Sequence, residues 1–228
     1  MKNSMVIIKK QLKDTLKNKT ILIQFILFPI MTLIMENAIY MEGMPKYFFI
    51  KLFSIMYIGM APLTSVAAII SEEKEKKTLR VLLMANVKPW QYLVGVGIYV
   101  WFTCMIGAGV MATGLPRQDI VVYLQIMAVG FIISILVGAC IGIYANNQMS
   151  ATSLVMPIMM VLSFLPMLAM FNKKIEQIAK IFFTQQLKIC LNDMSVTGHS
   201  KETYIVIFVN VIIMMVIFGV TFKKKGLE

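Results

Sequence analysis

The residues best suited to chemistry form a charged run between two long apolar segments. Residues 71–83 read Ser-Glu-Glu-Lys-Glu-Lys-Lys-Thr-Leu-Arg-Val-Leu-Leu. Glu72 and Lys76, and likewise Glu73 and Lys77, are four residues apart with the acid first, which is the better order for ion pairs on a helix. The chemistry expected here is therefore charge pairing and docking, on a helix that lies outside the bilayer and ends in an apolar edge.

Ser71 is placed to cap the start of that helix, where acids in the first turn also favour the helix dipole. The candidate contacts for a soluble partner are the acids and the residues that follow them: Glu72, Glu73, Glu75, Thr78, Leu79, Leu82 and Leu83. The alternative is a plain charged loop that only obeys the positive-inside rule.

Motifs for catalysis are missing from the sequence. It contains no Gly-x-x-x-x-Gly-Lys-[Ser/Thr] phosphate loop, no His-Glu-x-x-His pair and no nucleophile elbow. The cysteines Cys104, Cys140 and Cys190 are far apart and lack ligand spacing, so we expect packing roles and no metal site. The energy source for any work that this protein performs must therefore lie in another chain.

Composition indicates a membrane protein. Of the 228 residues 59% are hydrophobic, and the mean hydropathy is +0.79. The net charge of +11 comes from basic residues that flank apolar runs, so it favours lipid headgroups over nucleic acid.

Six apolar runs approach the roughly 20 residues that cross a bilayer as a helix. We therefore predict an all-α membrane protein, with one transmembrane domain over residues 1–228. The expected spans are residues 20–40, 47–70, 92–113, 120–145, 151–171 and 204–222. The termini and residues 71–90 carry 14 Lys and Arg, against eight on the other side of the predicted spans, which predicts both termini in the cytoplasm of a plasma-membrane protein.

Two amphipathic elements lie outside the spans. Residues 1–19 place Met5, Ile8, Leu12 and Leu16 on one helical face between lysines, which favours an interfacial helix over a plain basic topology signal.

Residues 172–202 contain two apolar helical faces. One face carries Ile175, Ile178 and Phe182, and the other carries Leu187 and Leu191. Residues 184–186 lie between these faces. The pattern predicts two short external helices that re-enter the outer leaflet; a surface helix capping the bundle is the alternative.

Polar and small residues mark positions inside the spans. Glu36 is ionisable, and placing a charged side chain at membrane depth costs free energy. It therefore either lines a substrate path, pairs with Lys46 or Lys51, or lies on the outer rim with no transport role. The candidate path residues are Gln24, Glu36, Asn37 and Asn210.

Small residues also recur every four positions at Gly130, Ser134, Gly138 and Gly142. They predict close packing with another helix, either in the same subunit or across a subunit interface.

The segment Glu73-Lys74-Glu75-Lys76-Lys77-Thr78-Leu79-Arg80-Val81-Leu82-Leu83 resembles the coupling segment of type-2 ATP-binding-cassette (ABC) exporter permeases. In that family the segment typically reads Glu-(Lys/Arg)-Glu-x-Gly-Thr-Leu-x-x-Leu-Leu, followed by Pro and a later Gly-Lys. Three positions depart from it: Lys77 replaces Gly, Asn86 replaces Pro, and Val96 replaces the Lys after Gly95.

The resemblance implies that residues 71–90 form a cytoplasmic coupling helix region for separate ATPase subunits. Those subunits would bind ATP and Mg, and this chain would bind no cofactor. It further implies a second permease subunit, as a homodimer or paralogous heterodimer, surrounded by membrane lipids.

The expected function is outward transport of a hydrophobic or amphipathic substrate, such as a peptide, a drug or a lipid-like compound. The alternatives are a secondary transporter or channel, and a non-transporting membrane immunity or scaffold protein.

Overall fold

A computed structural model describes residues 2–39, 43, 45–85, 87–195 and 200–225. Within these ranges the regular structure is entirely helical. The helices are α1 Lys2–Lys17, α2 Lys19–Ala38, α3 Phe48–Glu75, α4 Thr78–Met84, α5 Pro89–Ala112, α6 Arg117–Tyr144, α7 Gln148–Leu168, α8 Lys173–Ala179, α9 Phe183–Asp193 and α10 Lys201–Lys225.

Six of these helices are long and apolar enough to cross a membrane, namely α2, α3, α5, α6, α7 and α10. The predicted all-α membrane fold is thereby confirmed. The predicted end of the first span at Tyr40 lies outside the described residues. Proline inside α2, α3 and α7 does not end these helices, because packed neighbours can satisfy the backbone groups that a proline frees.

The centre of the bundle is formed by α3 and α6, whose apolar stretches are the most buried of the six. α3 packs on α6, α7, α2 and α5, whereas α10 lies at the periphery against α6 and α9. A single cluster of buried apolar side chains joins these helices, with Tyr57, Tyr92, Tyr123 and Phe131 as its largest fully buried members.

Small residues explain the close contact of α3 with α6. A Cβ atom at Gly138 would overlap the Leu63 backbone, and one at Gly142 would lie 2.8 Å from Cβ of Ile70. Gly130 faces Ile58 in the same way. The predicted packing of the small-residue stripe is confirmed, and its partner is α3 of the same chain.

Helices α8 and α9 form the predicted pair of short helices between the last two spans. Residues 196–199 of the predicted segment 172–202 lie outside the described residues. Leu187 and Leu191 are buried as predicted, whereas Ile178 is exposed. Residues 184–186 were predicted to lie between the two helices, but they form the first turn of α9 and are buried. Entry of this pair into the bilayer stays a prediction.

Helix α1 packs on α5 and α2 through a face that the apolar stripe did not reveal. Ile7, Gln11 and Thr15 are buried on it, at four-residue spacing. The predicted stripe lies only partly on this face: Ile8 packs against the core, Met5 and Leu12 are exposed, and Leu16 has no described side chain. α1 therefore has one face on the bundle and a second apolar face available to lipid, and its place in the headgroup plane stays a prediction.

We expect Gly138→Ala to lower the free energy of unfolding by about 1–3 kcal/mol, because the added methyl group forces α3 and α6 apart. Thermal unfolding of the purified protein in detergent measures this change. Gly109→Ala in α5 is the matched control, since nothing lies within 4 Å of a Cβ at that position. Equal unfolding temperatures for the two variants would contradict the packing described here.

Candidate functional site

The charged run does not begin a new helix at Ser71. Instead α3 continues through it to Glu75, and Ser71 Oγ donates to the carbonyl of Ala68. The predicted N-cap is therefore wrong. Glu and Lys are good helix formers, so α3 continues through the first five residues of the run.

The break comes at Lys77, six residues after Ser71, where the backbone takes a left-handed conformation with φ 57°. α4 starts at the next residue. This conformation favours glycine, because an L side chain is strained there by about 1–2 kcal/mol. It gives a physical reason for the glycine typical of this position in the pattern that the segment resembles.

Of the two predicted ion pairs, one forms. Lys76 donates to Glu72 Oε1 at 2.5 Å, and this hydrogen bond raises the pKa of Lys76. The predicted Glu73–Lys77 pair is wrong, since Glu73 points inward and is only 6% exposed. Its Oε1 accepts hydrogen bonds from Lys10 Nζ and, at 2.6 Å, from Gln11 Nε2, both on α1.

Burial makes this arrangement costly to disturb. A carboxylate removed from water needs a cation and hydrogen bonds to remain charged. Here α1 provides both to Glu73. The neighbouring Glu72 reaches the α1–α2 junction, where Asn18 Nδ2 donates to its Oε2 at 3.2 Å. The end of α3 is thus held to the N-terminal helices.

The next two residues hold the end of α3 to the α6–α7 turn. Lys74 Nζ donates to the Ile143 carbonyl at 2.8 Å, in the last turn of α6. Glu75 Oε2 accepts from the Gln148 amide at 2.9 Å, at the start of α7. A cation at a helix C-terminus and an anion at an N-terminus both match the helix dipole. Residues 72–75 therefore join four helices besides their own.

α4 lies on this cluster as a short helix of seven residues. Thr78 Oγ1 donates to the Glu73 carbonyl at 3.2 Å. Leu79 is only 1% exposed, and Leu82 and Leu83 pack partly against the core. The outer face carries Arg80, Val81 and Met84, the last two 59% and 72% exposed.

The predicted path residues contact different parts of the bundle. Gln24 Oε1 accepts from Thr64 Oγ1 at 2.8 Å and from Ser65 Oγ at 3.2 Å, which joins α2 to α3. Asn37 is exposed and donates to the Leu33 carbonyl of its own helix.

Glu36 of α2 contacts the start of α3. Its Oε2 accepts from the amides of Phe49 and Ile50 at 3.0 and 3.2 Å. Glu36 thus satisfies the helix N-terminus, and among the described ion pairs none joins it to Lys46 or Lys51.

Asn210 of α10 donates to the Ile181 carbonyl at 2.9 Å. It also lines a cavity of about 470 Å³ between α6, α7, α9 and α10. The structure therefore does not gather Gln24, Glu36, Asn37 and Asn210 into one site. The acids of the charged run, by contrast, all lie at the end of α3 and contact the elements around it.

With this geometry in place, comparison with known families is informative. Residues 1–222 match the family described as "ABC-2 family transporter protein". The chain belongs to the ABC-2 transporter family. No curated protein matches it significantly. An ABC-2 permease is a transmembrane subunit, and membership in the family implies association with an ABC ATPase.

Three residues of the ABC-2 permease that hold the charged run were not predicted: Lys10, Gln11 and Asn18. In the sequence Lys10 is one of the lysines that flank the apolar stripe of residues 1–19. A signal was present in Gln11 and Thr15, two polar residues at helical spacing from Ile7. That spacing indicated a second buried face, and a buried Gln needs a polar partner.

We expect Lys10→Met to destabilise the permease, because Glu73 then keeps its burial and loses its cation. Breaking a fully buried pair costs about 3–5 kcal/mol. The Lys10 side chain is about a third exposed, so solvent screening reduces the expected cost to about 1–3 kcal/mol. Unfolding in detergent measures the cost, and Lys13→Met on the exposed side of α1 is the matched control. Adding Glu73→Gln should recover part of the loss; strictly additive effects would reject the pairing.

Proposed function

We propose that this ABC-2 permease is the membrane subunit of an ATP-driven exporter, and that a separate ATPase docks at the end of the bundle that carries α1, α4 and the α6–α7 turn. We call this end the coupling end. One observation carries the proposal. Residues 72–75 link α3 to α1, α2, α6 and α7, while α4 turns an exposed face outward directly beside them.

This arrangement suits the transmission of force. α3 is one continuous helix from Phe48 to Glu75, so a displacement of its end need not pass through a flexible loop. The side chains of residues 72–75 would carry that displacement to the neighbouring helices. ATP-driven closure of the ATPase subunits would push on α4, tilt α3 and its neighbours, and open an outward route.

The contacts refine the role of each candidate residue. Glu73 is buried, and Glu72 and Glu75 already accept hydrogen bonds within the permease. We therefore assign these acids, with Thr78, to holding the coupling end together. Leu79, Leu82 and Leu83 would fasten α4 to the bundle. The ATPase would bind the exposed Arg80, Val81 and Met84, a small apolar patch beside charge of the kind that anchors interfaces.

The transport path requires a second permease subunit, either identical or paralogous. α2 and α7 leave much of their apolar surfaces exposed, and lipids or the second subunit would cover these surfaces. The contacts of Gln24 and Glu36 favour packing roles, so Asn37 and Asn210 remain as candidate path residues. The apolar, Met-rich spans favour a hydrophobic or amphipathic substrate such as a peptide, a drug or a lipid-like compound. ATP and Mg would be bound by the ATPase alone.

Replacing both Val81 and Met84 by Glu should release the ATPase, because two carboxylates would occupy the centre of the docking patch. The measurement is co-purification of a phosphate-loop ATPase with the tagged permease from its own cells, together with transport. Phe171→Glu, at an exposed apolar position just after the end of α7 and so opposite the coupling end, is the matched control.

Both side chains point away from the core, so the double variant should keep the wild-type unfolding temperature. Reversing Glu73 to Lys would be less informative, because it places a cation beside Lys10 and disturbs the fold itself. Normal co-purification and transport by the folded Val81→Glu, Met84→Glu variant would reject α4 as the docking element.

The proposed orientation places both termini and α4 in the cytoplasm. A membrane-impermeant thiol reagent added to intact cells should therefore label Lys173→Cys, just after the end of α7, and spare Lys76→Cys, since both positions are exposed on the protein. The native cysteines are all buried, which keeps the background low. Lysed cells should show labelling at both positions. The reverse pattern in intact cells would overturn the orientation.

A further inference from the structure

A cavity opens between α3, α7 and α9 at the end of the bundle opposite α4. Its volume is about 250 Å³. That is several times the ~30 Å³ that a water molecule occupies in the liquid. It falls just below the roughly 300 Å³ at which small-molecule pockets begin. The cavity is therefore large enough for one end of a ligand.

Two lysines line this cavity, one on α3 and one on α9. Lys51 of α3 donates to the Asn192 carbonyl at 2.9 Å, and Lys188 of α9 donates to the Pro166 carbonyl at 2.6 Å. An ammonium group carries several N–H donors, and one such hydrogen bond at each lysine leaves others for a further acceptor.

Neither lysine forms an ion pair among the described residues. None of the described lining residues is acidic, and neither ammonium group lies within 4.0 Å of a described carboxylate. Burial lowers the pKa of Lys188, and the charge of Glu176 opposes that shift only in part. A cation beside apolar surface without a close carboxylate is unfavourable, so an anion in the cavity would stabilise both lysines.

The rest of the lining is apolar and excludes a small hydrated ion as the preferred occupant. Phe48, Leu52 and Ile55 of α3 line it together with Met167 of α7 and Met170, which follows α7. Methionine adapts to irregular apolar groups. A ligand that matches both parts of the cavity has an acidic group at one end and a hydrocarbon chain next to it.

We propose that this cavity binds an anionic amphiphile, with a phosphate or carboxylate held between Lys51 and Lys188 and the chain against Phe48, Leu52 and Met167. The same chemistry is present in an acidic membrane lipid and in a free single-chain compound. The proposal concerns binding to the isolated permease, and it does not depend on export or on an ATPase.

Native mass spectrometry of the purified full-length permease in neutral detergent tests this proposal. The matched single-chain probes are dodecyl phosphate and dodecyltrimethylammonium, and the two-chain probes are phosphatidylglycerol and phosphatidylcholine. The acidic member of at least one pair should bind at least about tenfold more tightly than its counterpart, given the strength of hydrogen bonds between charged groups. Phosphatidylglycerol binding would identify a lipid site, and binding of dodecyl phosphate alone would identify a site for single-chain compounds.

Variants locate the binding. Replacing Lys51 and Lys188 by Gln should abolish the preference for the acidic probe, and replacing both by Arg should keep it. Gln at Lys173 and Lys174, exposed on the nearby α8, is the matched control and should change nothing.

The comparison of probes on the wild-type protein needs no variant, so it decides the question even if the Gln variant unfolds. Equal binding of acidic and non-acidic probes would overturn the proposal, as would an unchanged preference in the folded Gln variant.

Discussion

The close contact between α3 and α6 is the constraint on which the other helices depend. Lipid offers no hydrophobic drive for helices to associate, so tight packing and polar contacts must hold a membrane bundle together. Glycines along α6 let it approach the backbone of α3 directly. Around this pair α2, α5 and α7 pack on α3, while α10 packs on α6.

Because α3 is the central helix, its charged end is in contact with several neighbouring elements. Because the helix leaves the membrane without a break, Glu72, Glu73, Lys74 and Glu75 project from a rigid support in several directions. Each direction meets a different helix terminus or the N-terminal helix. A partner that moves this end would therefore act on most of the bundle at once.

Opposite ends of the bundle handle charge in different ways. At the coupling end, acids and lysines are paired with each other or with helix termini. Near α9, Lys51 and Lys188 instead donate to backbone carbonyls beside an apolar cavity. Paired charges suit contacts that transmit movement between helices, because they remain paired without a ligand. Cations beside an apolar cavity suit a ligand that brings a negative charge.

The sequence by itself determined the class of fold, since runs of apolar residues near the length of a membrane crossing allow only helices. It also revealed the small-residue stripe, the two short helices after the fifth span and the Glu72–Lys76 pair, because each depends on local spacing along one helix. The family resemblance likewise rested on a contiguous segment.

Only the tertiary structure decided which charges face inward. Helical spacing treats Glu73–Lys77 and Glu72–Lys76 alike, but α1 lies on one side of α3 and offers Lys10 and Gln11 to Glu73 alone. Glu36 similarly finds the amides of α3 instead of a lysine. Within α4, Leu79 is buried against the bundle, whereas Val81 and Met84 are exposed on the outer face. Such partners are distant in sequence, and burial raises the cost of leaving any of them unsatisfied, so three-dimensional packing outweighs local spacing.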